Sequence, residues 1–422
     1  MLKIVPRSEL LVTQPQVSDH PERRETVLNI IAEVRRDGDA ALKRMTEAFD
    51  KVALAHIAVQ EEEIEEAYRI IDPEVLDALR GAIHNIRDYH QRQVNQSWMT
   101  TQSSGTILGQ LVLPLERVGL YVPGGTAAYP SSVLMNAIPA LVAGVQEIAI
   151  TTPPGKDGKL NPAVLVAAAE LGIREIYKVG GAQAIAALAY GTETIRKVDK
   201  ITGPGNAFVA VAKREVFGQV AIDMIAGPSE VVILADESAN AAYIAADLLA
   251  QAEHDPLAST TLVTTSAALA KEVQTEVELQ LKQLERRDIA GKAIENYGAI
   301  CLADHLEEAI DIVNEMATEH LEIHFEDPFA HLGKIKHAGA IFIGDNSPVP
   351  IGDYFVGTNH VLPTGRTARF SSGLSVDDFV KKTSVACYSR QDMLDNGRKI
   401  AALARYEGLQ AHARAVELRL EK

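Results

Sequence analysis

A few short stretches hold most of the side chains able to do chemistry. In "LLAQAEHDP" (248–256), Gln251, Glu253, His254 and Asp255 close a run of apolar and small residues. Gln251 and His254 are three apart, so on a helix they share one face. Such a pair is either a solvated helix end before a proline or two ligands held toward a metal or a substrate. In "TEHLEIHFED" (318–327), Glu319 and His320 stand side by side between a helical run and a strand-like run. Open α/β sheets concentrate their active sites at such junctions. An imidazole with a pKa of about 6.5 can take a proton from an alcohol at neutral pH, and an adjacent carboxylate can activate a water. A capping glutamate and a satisfied histidine would show the same pattern. His324, in an alternating strand pattern, reads as structural, while Asp353 and His360 are further candidates in a loop-like stretch.

Nucleophilic catalysis finds little support. No G-x-S-x-G elbow is present, and Ser229 in "AGPSEVV" follows a Gly-Pro turn and opens a strand. Cys301 opens an apolar strand, and Cys387 sits in "SVACYS", where a small buried residue is the simpler account. Two cysteines cannot build a disulfide framework or a thiolate zinc cage, so a metal would have to rely on His, carboxylate or amide donors. That cysteine usage suits a reducing compartment.

Three glycine loops, "VPGGTAAYPSS" (122–132), "VGGAQAIAAL" (179–188) and "TGPGNAFVAVAK" (202–213), each lead from a strand into a helical run. Glycine allows close backbone approach to a ligand, and a helix N-terminus offers free N–H groups to a phosphate. Tight βα turns also need glycine for structural reasons, and no G-x-G-x-x-G fingerprint is present.

The elements that must position these residues alternate. Residues 22–95 read as helical, and from about 115 short β-rich runs ("RVGLYVP", "EIAITTPP", "EIYKVGG", "KITGPG", "SEVVILADE", "STTLVTTS") alternate with Ala-rich helical runs. "AICLAD", a helix over 305–317, "LEIHFED" and "AGAIFIGD" continue the pattern. This alternation predicts parallel sheets covered by helices. Residues 352–374 read as a long irregular loop, and the tail from about 390 as polar and helical.

At 422 residues the chain is long enough for two or three domains. A net charge of −16 argues against nucleic acid or an anionic membrane as partner. "VLMNAIPALVAGVQEIAI" is interrupted by Asn136, Pro139, Gln146 and Glu147 and reads as helix then strand rather than a membrane span. "MLKIVPRSEL" lacks the apolar core and cleavage site of a secretion signal, so the expected location is cytoplasmic or a reducing organelle-like compartment.

Together the segments "ERVGLYVPGG", "VGGAQAIAALAYGTETIRKVDKITGPGNAFVAVAKR", "AIDMIAGPSEVVILADESANAAYIAADLLAQAEHDP", "ATEHLEI", "GDYFVGTNHVLPT" and "SGLSVDDFVKKTSV" closely resemble histidinol dehydrogenases over most of residues 115–385. The resemblance implies an α/β fold of two Rossmann-like, incompletely wound domains with parallel sheets, plus small helical N- and C-terminal segments. It divides the chain into an N-terminal segment (1–20), a first domain (21–119 with 228–375) carrying the zinc and catalytic residues, a second domain (120–227) contacting NAD, and a C-terminal segment (376–422). That last segment is expected to complete the partner's site in a homodimer.

By the same resemblance, one Zn²⁺ per subunit is held by Gln251, His254, Asp353 and His412, and Glu319 and His320 are the catalytic pair. Ser229 and Glu407 contact substrate together with the zinc donors and His320, and Tyr121, Gln183 and Asn206 contact NAD, one at each glycine loop. The reaction implied is oxidation of L-histidinol through a bound aldehyde to L-histidine with two NAD⁺. Two rivals remain: a dehydrogenase of the same fold acting on another small alcohol, such as a sulfonated or hydroxylated acid, and a non-catalytic dinucleotide- or metal-binding protein. Glu407 and His412 argue against the first, and the intact Glu319–His320 pair with a full zinc set against the second.

Overall fold

The computed structural model describes residues 2–10, 21–124 and 129–421. A short strand β1 (Lys3–Ile4) and helix α1 (Arg7–Leu10) precede three helices, α2 (Pro21–Asp50), α3 (Glu61–Ile70) and α4 (Pro73–Gln91). Strands β2 (Trp98–Thr101) and β3 (Ile107–Pro114) lead into a first α/β unit. It runs β4 (Arg117–Tyr121), α5 (Pro130–Ala143), β5 (Glu147–Thr151), α6 (Pro162–Glu170), β6 (Ile176–Tyr177), α7 (Gly181–Tyr190), β7 (Lys200–Thr202), α8 (Ala207–Val216) and β8 (Ala221–Ile222). A second unit runs β9 (Glu230–Ala235), α9 (Ala241–Ala252), β10 (Ser259–Thr264), α10 (Ala267–Leu281), α11 (Arg287–Tyr297), β11 (Gly298–Leu302), α12 (Leu306–Met316), β12 (His320–His324), α13 (Pro328–His331), β13 (Ala340–Ile343) and α14 (Val349–Tyr354). The chain ends in β14 (Val380–Cys387), α15 (Arg390–Tyr406) and α16 (Gln410–Leu420).

Both units form parallel sheets, as the alternation predicts. The order is β6-β5-β4-β7-β8 in the first and β1-β11-β10-β9-β12-β13 in the second. Counted within each unit, both follow 3-2-1-4-5, with β1 added at one edge of the second. Strands such as "RVGLY" and "EVVILA" are buried at every position, because helices cover both faces. Val118, Leu120 and Ile150 face one layer of helices, and Ala149 and Ile201 the other. In the six-stranded sheet, Val231 and Ile233 pack on the α9 side, and Val232, Leu234, Leu321 and Ile323 on the α12 side.

Two features depart from the sequence-based expectation. Helices α2, α3 and α4, grouped there with the zinc-carrying domain, pack on the helices of the five-stranded sheet: α2 on α7 and α8, α3 on α6, and α4 on α5 and α6. Their apolar faces complete both cores of that sheet, with Val27, Val34 and Leu42 on one side and Leu79 and Ile86 on the other. A third sheet, β14-β3-β2, is antiparallel and ties the C-terminal segment to residues 98–114. Within the loops and segments singled out from the sequence, residues 1, 11–20 and 125–128 lie outside the described residues.

Candidate active site

Helix α12 ends at Ala317 in the left-handed region, which turns the chain sharply into Thr318, Glu319 and His320 at the start of β12. Glu319 and His320 are both buried, at 5% and 4% exposure. The neighbouring strand β9 fixes them. The Glu230 amide donates to Glu319 Oε2 at 2.8 Å, and His320 Nδ1 lies 3.1 Å from the Glu230 carbonyl. A carbonyl can only accept, so Nδ1 carries the proton and Nε2 holds the bare lone pair. Nε2 is buried, has no hydrogen-bond partner among the described residues, and lies 3.8 Å from Asp353 Oδ1. Burial drives the His320 pKa down to about 3, which keeps the ring neutral. Burial, reinforced by the charges of Glu230 and Asp353, pushes Glu319 well above the usual carboxylate range.

The neighbours come from two short pieces of chain. Asn240 caps α9 by accepting the Ala242 and Tyr243 amides. The helix stops at Ala252, but the His254 amide reaches the Gln251 carbonyl at 3.3 Å, so the turn continues and His254 follows Gln251 outside the helix proper. Gln251 is buried; His254 keeps an exposed edge, yet the protein around it lowers its pKa by desolvation. Asp353 sits on α14 rather than in an irregular loop, and burial pushes it up to about 7. His360 Nδ1 is 3.1 Å from the Asp353 carbonyl, and burial lowers this imidazole to about 4.

Buried carboxyls pushed up and imidazoles pushed down are both marks of desolvation: the cleft disfavours an unpaired charge of either sign. An amide oxygen, an imidazole and a carboxylate from Gln251, His254 and Asp353 form a donor set that suits a borderline-soft divalent cation. His412, the fourth expected donor, is exposed on α16, and Glu407 is exposed at the end of α15. Neither lines the central cavity, and α15 and α16 pack on each other as a hairpin tied by the Arg405–Glu417 ion pair. Among the described residues, one group of His and carboxylate side chains has ligand atoms within 4.8 Å of one another: Asp247, Glu322 and His324.

The described residues of the three glycine loops meet at the carboxyl edge of the five-stranded sheet. Tyr121 ends β4 and is buried, its hydroxyl accepting the Gly181 amide at 3.1 Å. Gln183 is buried in the first turn of α7, and Asn206 caps α8 through the Phe208 and Val209 amides. Strands β4 and β7 are first and fourth in the unit and adjacent, so the crevice beyond them is a topological switch point, where ligands bind open sheets. Gly203, with φ +113°, lies against β4: a Cβ there would fall 2.1 Å from the Tyr121 carbonyl oxygen. Its carbonyl accepts from buried Lys213, which pairs with Asp223. A cavity of about 60 Å³ joins the two units, lined by Gly203, Lys213 and Asp223 on one side and Ser229, Glu319 and His360 on the other.

Comparison with known proteins decides the family. The sequence model of histidinol dehydrogenase matches residues 13–420. The chain is 65% identical over 401 residues to histidinol dehydrogenase of Geobacillus kaustophilus, covering 95% of each chain. It is 60% identical over 398 residues to that of Bacillus subtilis, covering 94% and 93%. The crystal structure of histidinol dehydrogenase from Elizabethkingia anophelis superposes with a TM-score of 0.95 at 38% identity, covering 100% of this chain and 98% of that one. The chain belongs to the histidinol dehydrogenase family. It is an oxidoreductase with that family's α/β fold.

Within this member of the histidinol dehydrogenase family, sequence reasoning missed Glu230. It holds both Glu319 and His320 through its backbone, its own Oε1 accepts the Gly365 amide at 3.0 Å, and burial raises its carboxyl to about 7. A charged residue opening the otherwise apolar run "EVVILA" was the available signal.

Proposed function

We propose that this chain oxidises L-histidinol to L-histidine by way of bound L-histidinal, using two NAD⁺ and one zinc ion per subunit. The observation that carries the reading is the buried, neutral His320 in the cleft between the sheets, its Nδ1 side against Glu319 and its unpartnered Nε2 toward Asp353, in a chain of the histidinol dehydrogenase family.

When bound by Gln251, His254, Asp353 and a second copy's His412, zinc supplies a template that orients the substrate's nitrogens, and NAD⁺ at Tyr121, Gln183 and Asn206 supplies the hydride acceptor. His320 Nε2 takes the hydroxyl proton in the first oxidation, its Nδ1–H held against the Glu230 carbonyl. In the second, Glu319 takes a proton from the water that adds to the aldehyde. A carboxyl raised by burial is a stronger base than an exposed one, which suits that task. Ser229 at the cleft wall and a second copy's Glu407 complete the grip on substrate.

The shared site requires a homodimer, and the C-terminal hairpin supports one. Tyr406 is 92% exposed and Leu403 67% exposed, beside Glu407, an apolar surface that a monomer would leave in water. No helix among the described residues is long and apolar enough to cross a membrane. The reading places the enzyme in the cytoplasm, and the charge of −16 disfavours nucleic acid or an anionic membrane as partner.

A panel of alcohols with NAD⁺ and added zinc tests the reading. NADH formation with L-histidinol, and not with sulfonated or hydroxylated acids lacking its two nitrogens, is expected. Preference for another alcohol, or no NADH from histidinol, would overturn it.

A further inference from the structure

The side of β12 that faces α9 carries His320, Glu322 and His324 in alternation, because a strand turns every second side chain to the same face. The side of α9 that faces β12 carries Asp247, Gln251 and then His254, spaced by successive turns. Two polar stripes therefore run along one seam. Its upper half is the site already described. Its lower half, Asp247, Glu322 and His324, takes no part in the chemistry.

Glu322 is fully buried and joins three elements. Its Oε1 accepts the amide of Val349, the first residue of α14, at 2.7 Å. Pro348, the residue before α14, offers no side-chain cap, so β12 supplies the cap instead. The second oxygen lies 3.5 Å from His324 Nε2, and His324 Nδ1 lies 3.3 Å from Asp345 in the loop that leads to α14. On the other side, Asp247 of α9 hydrogen-bonds Glu322. Burial and this contact raise Asp247 to about 8, so Asp247 keeps its proton at neutral pH and donates it to Glu322. Burial alone would lower His324, but Glu322 and Asp345 hold it above its ordinary value.

We infer that Asp247, Glu322 and His324 are positioning residues that lock α9 and α14 onto β12, and so set the separation of Gln251 and His254 from Asp353. The inference rests on the reading of those three as zinc donors. Residues that orient metal donors cost about 10–100-fold in metal affinity when removed. Neither Asp247 nor Glu322 would touch the ion.

The test is zinc affinity by chelator competition on purified, folded full-length enzyme, with metal content measured directly. Glu322→Met removes the acceptor for the Val349 amide and is expected to weaken zinc binding about 10–100-fold. Glu322→Gln keeps an oxygen for that amide and a donor for Asp247, and is expected to stay within about threefold of wild type. If Glu322→Met does not fold, Asp247→Ala decides, with about tenfold weaker zinc binding expected and Asp247→Asn restoring it. Wild-type zinc affinity in folded Glu322→Met or Asp247→Ala would overturn the inference. So would a second zinc equivalent in wild type that Glu322→Gln loses, because the cluster would then itself be the ion's site. Failure of wild type to bind zinc at all would instead overturn the zinc reading on which the inference rests.

Discussion

Glu319→Gln separates the two oxidations. Glutamine keeps the volume of glutamate and an oxygen to accept the Glu230 amide now at 2.8 Å from Oε2, so the join between β9 and β12 persists. His320 keeps its Nδ1–H against the Glu230 carbonyl, 3.1 Å away, and its free Nε2. What disappears is a group able to take a proton from water. General-base help of this kind is worth about 10²–10⁴-fold, so aldehyde-to-acid turnover should fall by that factor, while histidinol-to-aldehyde turnover stays within about tenfold. The fold should not suffer, since the substitution removes a carboxyl that burial holds well above its usual range. The assay supplies L-histidinol or L-histidinal separately, follows NADH in the first turnover, and checks melting temperature alongside. Equal loss in both half-reactions at unchanged stability would refute the division of labour between Glu319 and His320.

Three further outcomes are expected. Mixing inactive His254→Ala and inactive His412→Ala chains under subunit exchange should restore part of the activity, because each heterodimer can assemble one intact site; mixtures that stay inactive would place the whole site within one chain. Gly203→Ala should cost at least about 3 kcal/mol, from a left-handed φ of +113° and a Cβ 2.1 Å from the Tyr121 carbonyl oxygen, read as a drop in denaturation midpoint and, in folded protein, a higher KM for NAD⁺. Glu230→Gln tests the pH sign. The native carboxyl titrates near 7 against an ordinary 4.5, so the native state holds the proton longer and wild-type stability falls as pH rises through that window, by about 3 kcal/mol. Metal-free Glu230→Gln should therefore melt above wild type at pH 8 and level with it at pH 4; a variant less stable than wild type at pH 8 would contradict this.

Much of the frame was legible in the sequence because buried parallel strands write themselves as short, nearly continuous apolar runs. "RVGLY", "EVVILA" and "STTLVT" are buried throughout and stood out accordingly. The antiparallel sheet left no such trace. "WMTT" is exposed along its whole length, "VKKTSVAC" is largely exposed, and β14 pairs with a strand more than 260 residues earlier in the chain. The placement of α2–α4 was illegible for a related reason: an amphipathic helix declares that it has a partner, not which one. At the site, the Glu319–His320 pair was visible as residue types at a helix–strand junction. Gln251, His254 and Asp353 were visible as candidates, but their grouping with His412 as a zinc set came only through family resemblance, because an amide oxygen is an unusual zinc donor; so did the NAD residues, because Tyr121, Gln183 and Asn206 are separated by whole elements. The roles of Glu230 and Glu322 depend on the register of β9 against β12 and on where α14 starts, which no local pattern encodes.

The central claim is a two-step oxidation in one metal-dependent site. Counting NADH formed per L-histidinol consumed, with enzyme as purified, after chelation and after zinc is returned, tests it most directly. The account predicts two NADH per histidinol and no release of free aldehyde, with activity lost on chelation and regained with zinc. One NADH per histidinol with aldehyde accumulating, or full turnover by the metal-free protein, would contradict it.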